Sequence, residues 1–184
     1  MCSRAALEVA DNTDFHGTAS AGWPGHVSAF SDNPYMENLD WDDPAVDARW
    51  CGERRQAVTE YLAKEALAHG EVGTWPAWHV APYVSIWAIE SLAAPGYVGW
   101  WVISGDLPSD YLSAAAIKHP RKALLAFSET WKEAADCLQK GRPHPHISIG
   151  PSEQDPELAS LVEKRSDALR QLAEDDSVWG AEYD

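Results

Sequence analysis

The sequence predicts an α+β domain: a central antiparallel sheet built on a hairpin over residues 84–104, covered by about three main helices. Three observations carry this reading. Two apolar runs, 84–92 and 97–104, are rich in Val, Ile, Trp and Tyr, which fit a pleated surface. Between them stands Ala93-Ala94-Pro95-Gly96, where Pro95 presets φ for the first central turn position and Gly96 supplies φ > 0 for the second. Proline-opened segments with helical periodicity lie on either side. Along the hairpin, Trp87, Ile89, Trp101 and Ile103 are expected on one face, and Val84, Ile86, Trp100 and Val102 on the other. A sheet apolar on both faces must be covered on both, so the helices are its lids.

In chain order, residues 1–40 mix Gly and Pro with Ser, Asn and Asp and keep no period, the pattern of an irregular acidic arm. The first helix is signalled by Asp43 as cap, Pro44 at the first helical position and Asp47 in the first turn. Val46, Trp50, Val58, Tyr61, Leu62 and Ala66 hold its spacing until Gly70, with Arg49, Glu53, Arg54 and Lys64 toward solvent. Residues 71–79 read as a loop leading into a strand or bridge before Pro82. Beyond the hairpin, Pro108 is expected to turn the chain and Ser109 to cap a short helix through Ala116.

His119-Pro120 opens a longer helix, with Leu124, Phe127, Ser128, Trp131, Ala134, Ala135 and Leu138 on one face until Gly141. Arg121 and Lys122 occupy its first turn, where the dipole favours acids; the cost is at most ~1 kcal/mol, and a nearby carboxylate is expected to offset it. Residues 142–146 form an extended Pro-rich link, and 147–149 are a candidate edge strand. The last helix enters at Asp155-Pro156-Glu157, with Leu158, Leu161, Val162, Arg165, Leu169 and Leu172 on its apolar side. Its acidic end opposes the dipole, so fraying is expected there, and a loose tail over 177–184 unless Trp179 docks. The organisation is thus an arm (1–40), one α+β domain (41–176) and a tail (177–184).

Charge carries the main functional clue. The net charge of −15 disfavours nucleic acid and anionic membrane as partners. Residues 1–48 hold nine acids against Arg4, and 151–184 hold ten against Lys164, Arg165 and Arg170, so the middle of the chain is neutral. The sequence has no 18-residue apolar run, and its start lacks the basic and apolar regions of a signal peptide, so a cytoplasmic protein is expected. Cys2, Cys51 and Cys137 match neither a disulfide framework nor a zinc ribbon and read as reduced thiols.

The string from Gly99 to Tyr111, GWWVISGDLPSDY, preceded by Trp87-Ala88-Ile89-Glu90-Ser91, resembles a bacterial family catalogued as a domain of unknown function. The resemblance runs from about Trp50 to the last helix, takes in His69-Gly70 and Trp78, and leaves the N-terminal arm outside. It implies one domain centred on the hairpin and brings no activity or cofactor.

Glu90, Asp106 and Asp110 are the catalytic candidates, as a carboxylate cluster at the open end of the hairpin able to bind a cation or transfer protons. The structural alternative has Asp106 and Ser109 satisfying turn N–H groups while Glu90 pairs with Arg121 or Lys122. His144 and His146 are weak metal candidates, with His79 or His119 as a third ligand, against an ordinary Pro-rich connection. Cys51 and Cys137 read as small core residues, and Trp100 and Trp101 as one aromatic under each helical layer. No phosphate-binding glycine loop is present and no cofactor is expected. The functional expectation is a small acidic binding protein that neutralises a basic partner, as immunity-type inhibitors do, using Asp40, Asp42, Asp43 and Asp47. The alternative is a small enzyme or a ligand- or metal-binding domain using the hairpin carboxylates.

Overall fold

A computed structural model describes residues 39–144 and 156–180. Its elements are α1 (Pro44–Lys64), β1 (Trp78–Val80), β2 (Val84–Glu90), β3 (Val98–Gly105), β4 (Leu107–Ser113), α2 (Pro120–Gln139), α3 (Pro156–Glu174) and a 3-10 turn over Asp176–Val178. The four strands form one antiparallel meander in the order β1-β2-β3-β4.

The turn joining β2 to β3 has the expected chemistry. Gly96 adopts φ 83°, and Tyr97 N–H donates to Ala94 O at 3.2 Å, a type II turn with proline and glycine at its centre. The facing of the strands corrects the expectation. Glu90 pairs with Val98 but Ile89 pairs with Trp100, so Gly99 is an extra residue in β3 and the register shifts by one. A one-residue shift exchanges the faces of a strand. Trp87 and Ile89 therefore share a face with Val102 and Trp100, and Val84 and Ile86 share the other with Ile103 and Trp101.

The short helix expected after Ser109 is a strand. β4 pairs along β3 from Gly105↔Leu107 to Trp100↔Ser113. The turn at Asp106 is tight enough to return the chain onto β3, and ladder pairing outweighs the local cap signal of Ser109. Gly105 lets this turn lie close against the start of β2, where a Cβ would collide with Tyr83 O. Pro108 is tolerated because β4 is an edge strand.

Each face receives its own layer. α2 and α3 cover Trp78, Val84, Ile86, Trp101 and Ile103, using Leu124, Phe127, Trp131, Leu169 and Leu172. α1 covers Trp87, Ile89 and Val102 with Val58 and Leu62. Trp100 and Trp101 accordingly fall under different layers. Leu161, expected on the apolar side of α3, is exposed instead, and Ala159, Val162, Ser166 and Leu169 form the inward stripe.

The helix ends follow local chemistry. Asp43 Oδ1 accepts from Ala45 N–H at 2.8 Å. α1 ends at Lys64, before Gly70: Ala66 takes φ 52° and Leu67 N–H reaches Leu62 O at 3.2 Å, so a Schellman motif closes the helix on an alanine. His119 Nδ1 caps α2 by accepting from Arg121 N–H at 3.1 Å.

The carboxylate beside Arg121 is Asp176, at 2.5 Å, and not Glu90; Arg121 also donates to Ala173 O at 2.6 Å. A cation thus satisfies a carbonyl at the C-terminal end of α3, the dipole end that favours positive charge. Trp179 docks, which meets the condition set for the tail: it stacks on Trp78 at 4.3 Å between centroids and donates from Nε1 to Leu172 O at 2.8 Å. The arm up to residue 38, the candidate strand 147–149 and the last four residues lie outside the described residues.

The two left-handed positions give predictions of opposite sign. Gly96→Val should destabilise by about 1 kcal/mol or more, because a β-branched residue resists φ > 0. Ala66→Gly should stabilise by roughly 0.5 kcal/mol, since the relieved αL strain exceeds the entropy glycine adds to the unfolded chain. Urea unfolding midpoints read both. An unchanged midpoint for the first, or a lowered one for the second, would contradict the turn and cap assignments.

Candidate functional site

The inward stripe of α1 runs Asp47, Cys51, Arg54, Val58, Leu62, and its two halves differ in chemistry. Val58 and Leu62 lie on the apolar cluster. Asp47, Cys51 and Arg54 cover a polar row on the same face of the sheet. His79 pairs with Ser85, Ser85 pairs with Ser104, and Ser109 of β4 reaches Ser104.

Ser85 and Ser104 at its centre are buried, and the row is knitted together. Ser85 Oγ donates to Ser104 O at 2.8 Å and accepts from Trp87 Nε1 at 2.9 Å. Ser109 Oγ lies 3.4 Å from Ser104 Oγ. Arg54 donates to Gly105 O at 3.4 Å, while its Nε is buried with no hydrogen-bond partner among the described residues. Buried polar groups cost 1–3 kcal/mol each when unpaired, so a polar row needs this degree of bonding to be tolerated.

At the outer end of the row three chemically active side chains converge. His79 Nε2 lies 2.9 Å from Asp47 Oδ1, and Cys51 Sγ lies 4.0 Å from the same oxygen. One ligand atom from each of the three falls within 4.8 Å of the others. The imidazole is framed by Trp50, stacked at 6.0 Å, and by Trp75, edge-on at 5.8 Å. The carboxylate, not the imidazole, is the central group, so this is no nucleophile–base–orienter triad. Burial, aided by the Asp47 charge, pushes the Cys51 thiol far up and keeps it protonated at neutral pH. The thiol alone is therefore a poor nucleophile.

The hairpin carboxylates stand apart from this band and from one another. Glu90 sits at the turn end, opposite Val98, and not at the open end of the hairpin. Its Oε1 accepts from Gly96 N–H at 2.7 Å and its Oε2 from Glu71 N–H at 3.1 Å. These bonds, the Gly96 one foremost, hold its carboxyl below the usual range. Asp106 lies at the other end of β3, its N–H on Tyr83 O and its charge near Arg165. Asp110 is partly buried on β4 and accepts from Trp131 Nε1 at 2.9 Å; desolvation raises its carboxyl despite that bond.

Asp40, Asp42 and Asp43 are exposed ahead of α1, whereas Asp47 is half-buried on His79. His144 lies 3.9 Å from Glu133 Oε2, and His146 is outside the described residues. Its suggested third ligands are engaged elsewhere, His79 with Asp47 and His119 at the α2 cap. The grouping of Asp47, Cys51 and His79 was not anticipated. The one signal for it was the i, i+4 spacing of Asp47 and Cys51 on the buried stripe of α1.

Fold and site together define an α+β domain in which a four-stranded antiparallel meander lies between one helix and a helical pair. Residues 44–179 match the family described as a domain of unknown function (DUF4826), and the chain belongs to that family. No curated protein and no solved structure matches it. No helix among the described residues is long and apolar enough to cross a membrane.

The Glu90 bonds predict a pH dependence. A carboxyl held below its unfolded value of 4.5 adds stability that is fully present above that pH and is lost as pH falls through the lower folded value. Denaturant unfolding of wild type and Glu90→Gln should therefore differ by a constant amount at neutral pH. The difference should shrink below pH 4.5. A gap that widened on acidification would show that Glu90 is not the clamp on Gly96 and Glu71.

Proposed function

We propose that this protein is a small acidic binding module that neutralises a basic protein partner through the approach to α1, in the manner of an immunity-type inhibitor. One observation carries the reading. Asp40, Asp42 and Asp43 are exposed just ahead of α1, Asp43 one helical turn from Asp47, which reaches His79 beside the exposed ring of Trp75. Acids around an aromatic anchor suit a cationic partner: the charges steer encounter and the ring supplies desolvated contact. The net charge of −15 acts in the same direction, and Glu157, Asp167, Glu174 and Asp175 add exposed acids on α3 and just beyond it.

A catalytic use of Glu90, Asp106 and Asp110 has less support. Glu90 is engaged by two backbone N–H groups, and the register keeps it away from Asp106.

The test is capture of a partner from host lysate, followed by association kinetics at two salt concentrations. Asp40→Lys with Asp42→Lys and Asp43→Asn reduces the charge while asparagine keeps the helix cap. The partner should be basic, and the on-rate should fall about tenfold or more with salt and in the variant, with the off-rate little changed. Absence of a basic partner, or an on-rate insensitive to both changes, would overturn the reading.

A further inference from the structure

We propose that Asp47, Cys51 and His79 form a zinc-binding site with one coordination position open to solvent. The proposal is independent of the partner reading. A carboxylate oxygen, a thiol sulfur and an imidazole nitrogen form a donor set that zinc accepts, and soft sulfur with imidazole disfavours calcium and magnesium. The three ligand atoms lie within 4.8 Å of one another. Donors about 2.0–2.3 Å from a tetrahedral ion stand roughly 3.3–3.8 Å apart, so small side-chain adjustments bring all three onto one ion.

The backbone holds this arrangement without the ion. Asp47 and Cys51 are one turn apart on α1, and His79 is fixed in β1 by its pairing with Ser85. Trp50 and Trp75 restrict the imidazole plane, the orienting role that surrounding groups play at metal centres.

A plain His–Asp hydrogen bond accounts for two of the three residues. It leaves unexplained a buried thiol aimed at the same carboxylate oxygen. Zinc accounts for all three. On binding, the thiol releases its proton to solvent and the imidazole carries its remaining proton on Nδ1. The resulting thiolate and carboxylate cancel the charge of the ion. A neutral cluster suits this half-buried place, where Asp47 and His79 keep 27% and 20% of their side-chain surface and Cys51 almost none. The open position lies on the exposed side, where water or a donor from a ligand would complete the tetrahedron.

The experiment uses the full chain, reduced and treated with chelator, then titrated with Co²⁺ as a spectroscopic probe and with Zn²⁺ in competition. The expected result is one equivalent of Co²⁺ giving a thiolate-to-cobalt charge-transfer band and intense tetrahedral d–d bands, both displaced by Zn²⁺. Cys51→Ala should abolish the charge-transfer band, whereas Cys2→Ala and Cys137→Ala should retain it. Asp47→Asn and His79→Gln should each weaken zinc binding by tenfold or more. These last two changes lie on partly exposed residues and keep the test open should Cys51→Ala fail to fold. No charge-transfer band in wild type, a band surviving Cys51→Ala, or zinc affinity unchanged in both Asp47→Asn and His79→Gln would overturn the proposal.

Discussion

Trp87 and Trp101 lie on opposite faces of the same two-stranded ribbon, and both are almost wholly removed from water. Burying an aromatic side chain of about 150–250 Å² is worth up to ~4–6 kcal/mol at 25 cal/mol/Å². Neither face can be left wet at that cost. A hairpin with two apolar faces therefore requires two lids, and the rest of the chain is arranged to supply them. α2 and α3 pack as a pair on one side, and Arg121 locks that pair by joining the start of α2 to the end of α3. The stacked Trp78 and Trp179 close the same layer from its edge.

The α1 lid is different in kind. Its second half is a hydrophobic contact, but its first half sets Asp47, Cys51 and Arg54 over His79, Ser85 and Ser104. Apolar side chains at these positions would have been cheaper to bury. The apolar core of the hairpin lies outside the polar band, under Val58 and Leu62 and under the opposite helical pair. A polar cluster set apart from the apolar core is a natural place for function. It also adjoins the exposed acids that lead into α1, so the two readings of this face concern neighbouring surfaces.

Local signals in the sequence carry far in this fold. The Pro95-Gly96 turn, the Asp43-Pro44 and His119-Pro120 entries and the two-faced hairpin all depend on residues close together in the chain, and the structure contains each of them. What was not legible depends on pairing across distance. The extra residue at Gly99 exchanges the faces of β2 relative to β3, and nothing in the alternation of either strand reveals it. β4 looks like a capped turn because Pro108 and Ser109 are local helix-start signals, while its partner strand lies several residues back. The site was hidden for the same reason. Cys51 and His79 are distant in sequence and meet only because β1 pairs at the edge of β2, beneath the first half of α1.

Native-state hydrogen exchange tests the central claim, that the doubly covered hairpin is the last element to open and the first half of α1 is dispensable to it. Amides of Trp87, Val102 and Ile103 should exchange only through global unfolding, with protection equal to the full unfolding free energy. Those of α1 between Asp47 and Arg54 should exchange through a smaller, local opening. Slower exchange in that half of α1 than in the hairpin, or hairpin amides that exchange before those of α2, would contradict the account.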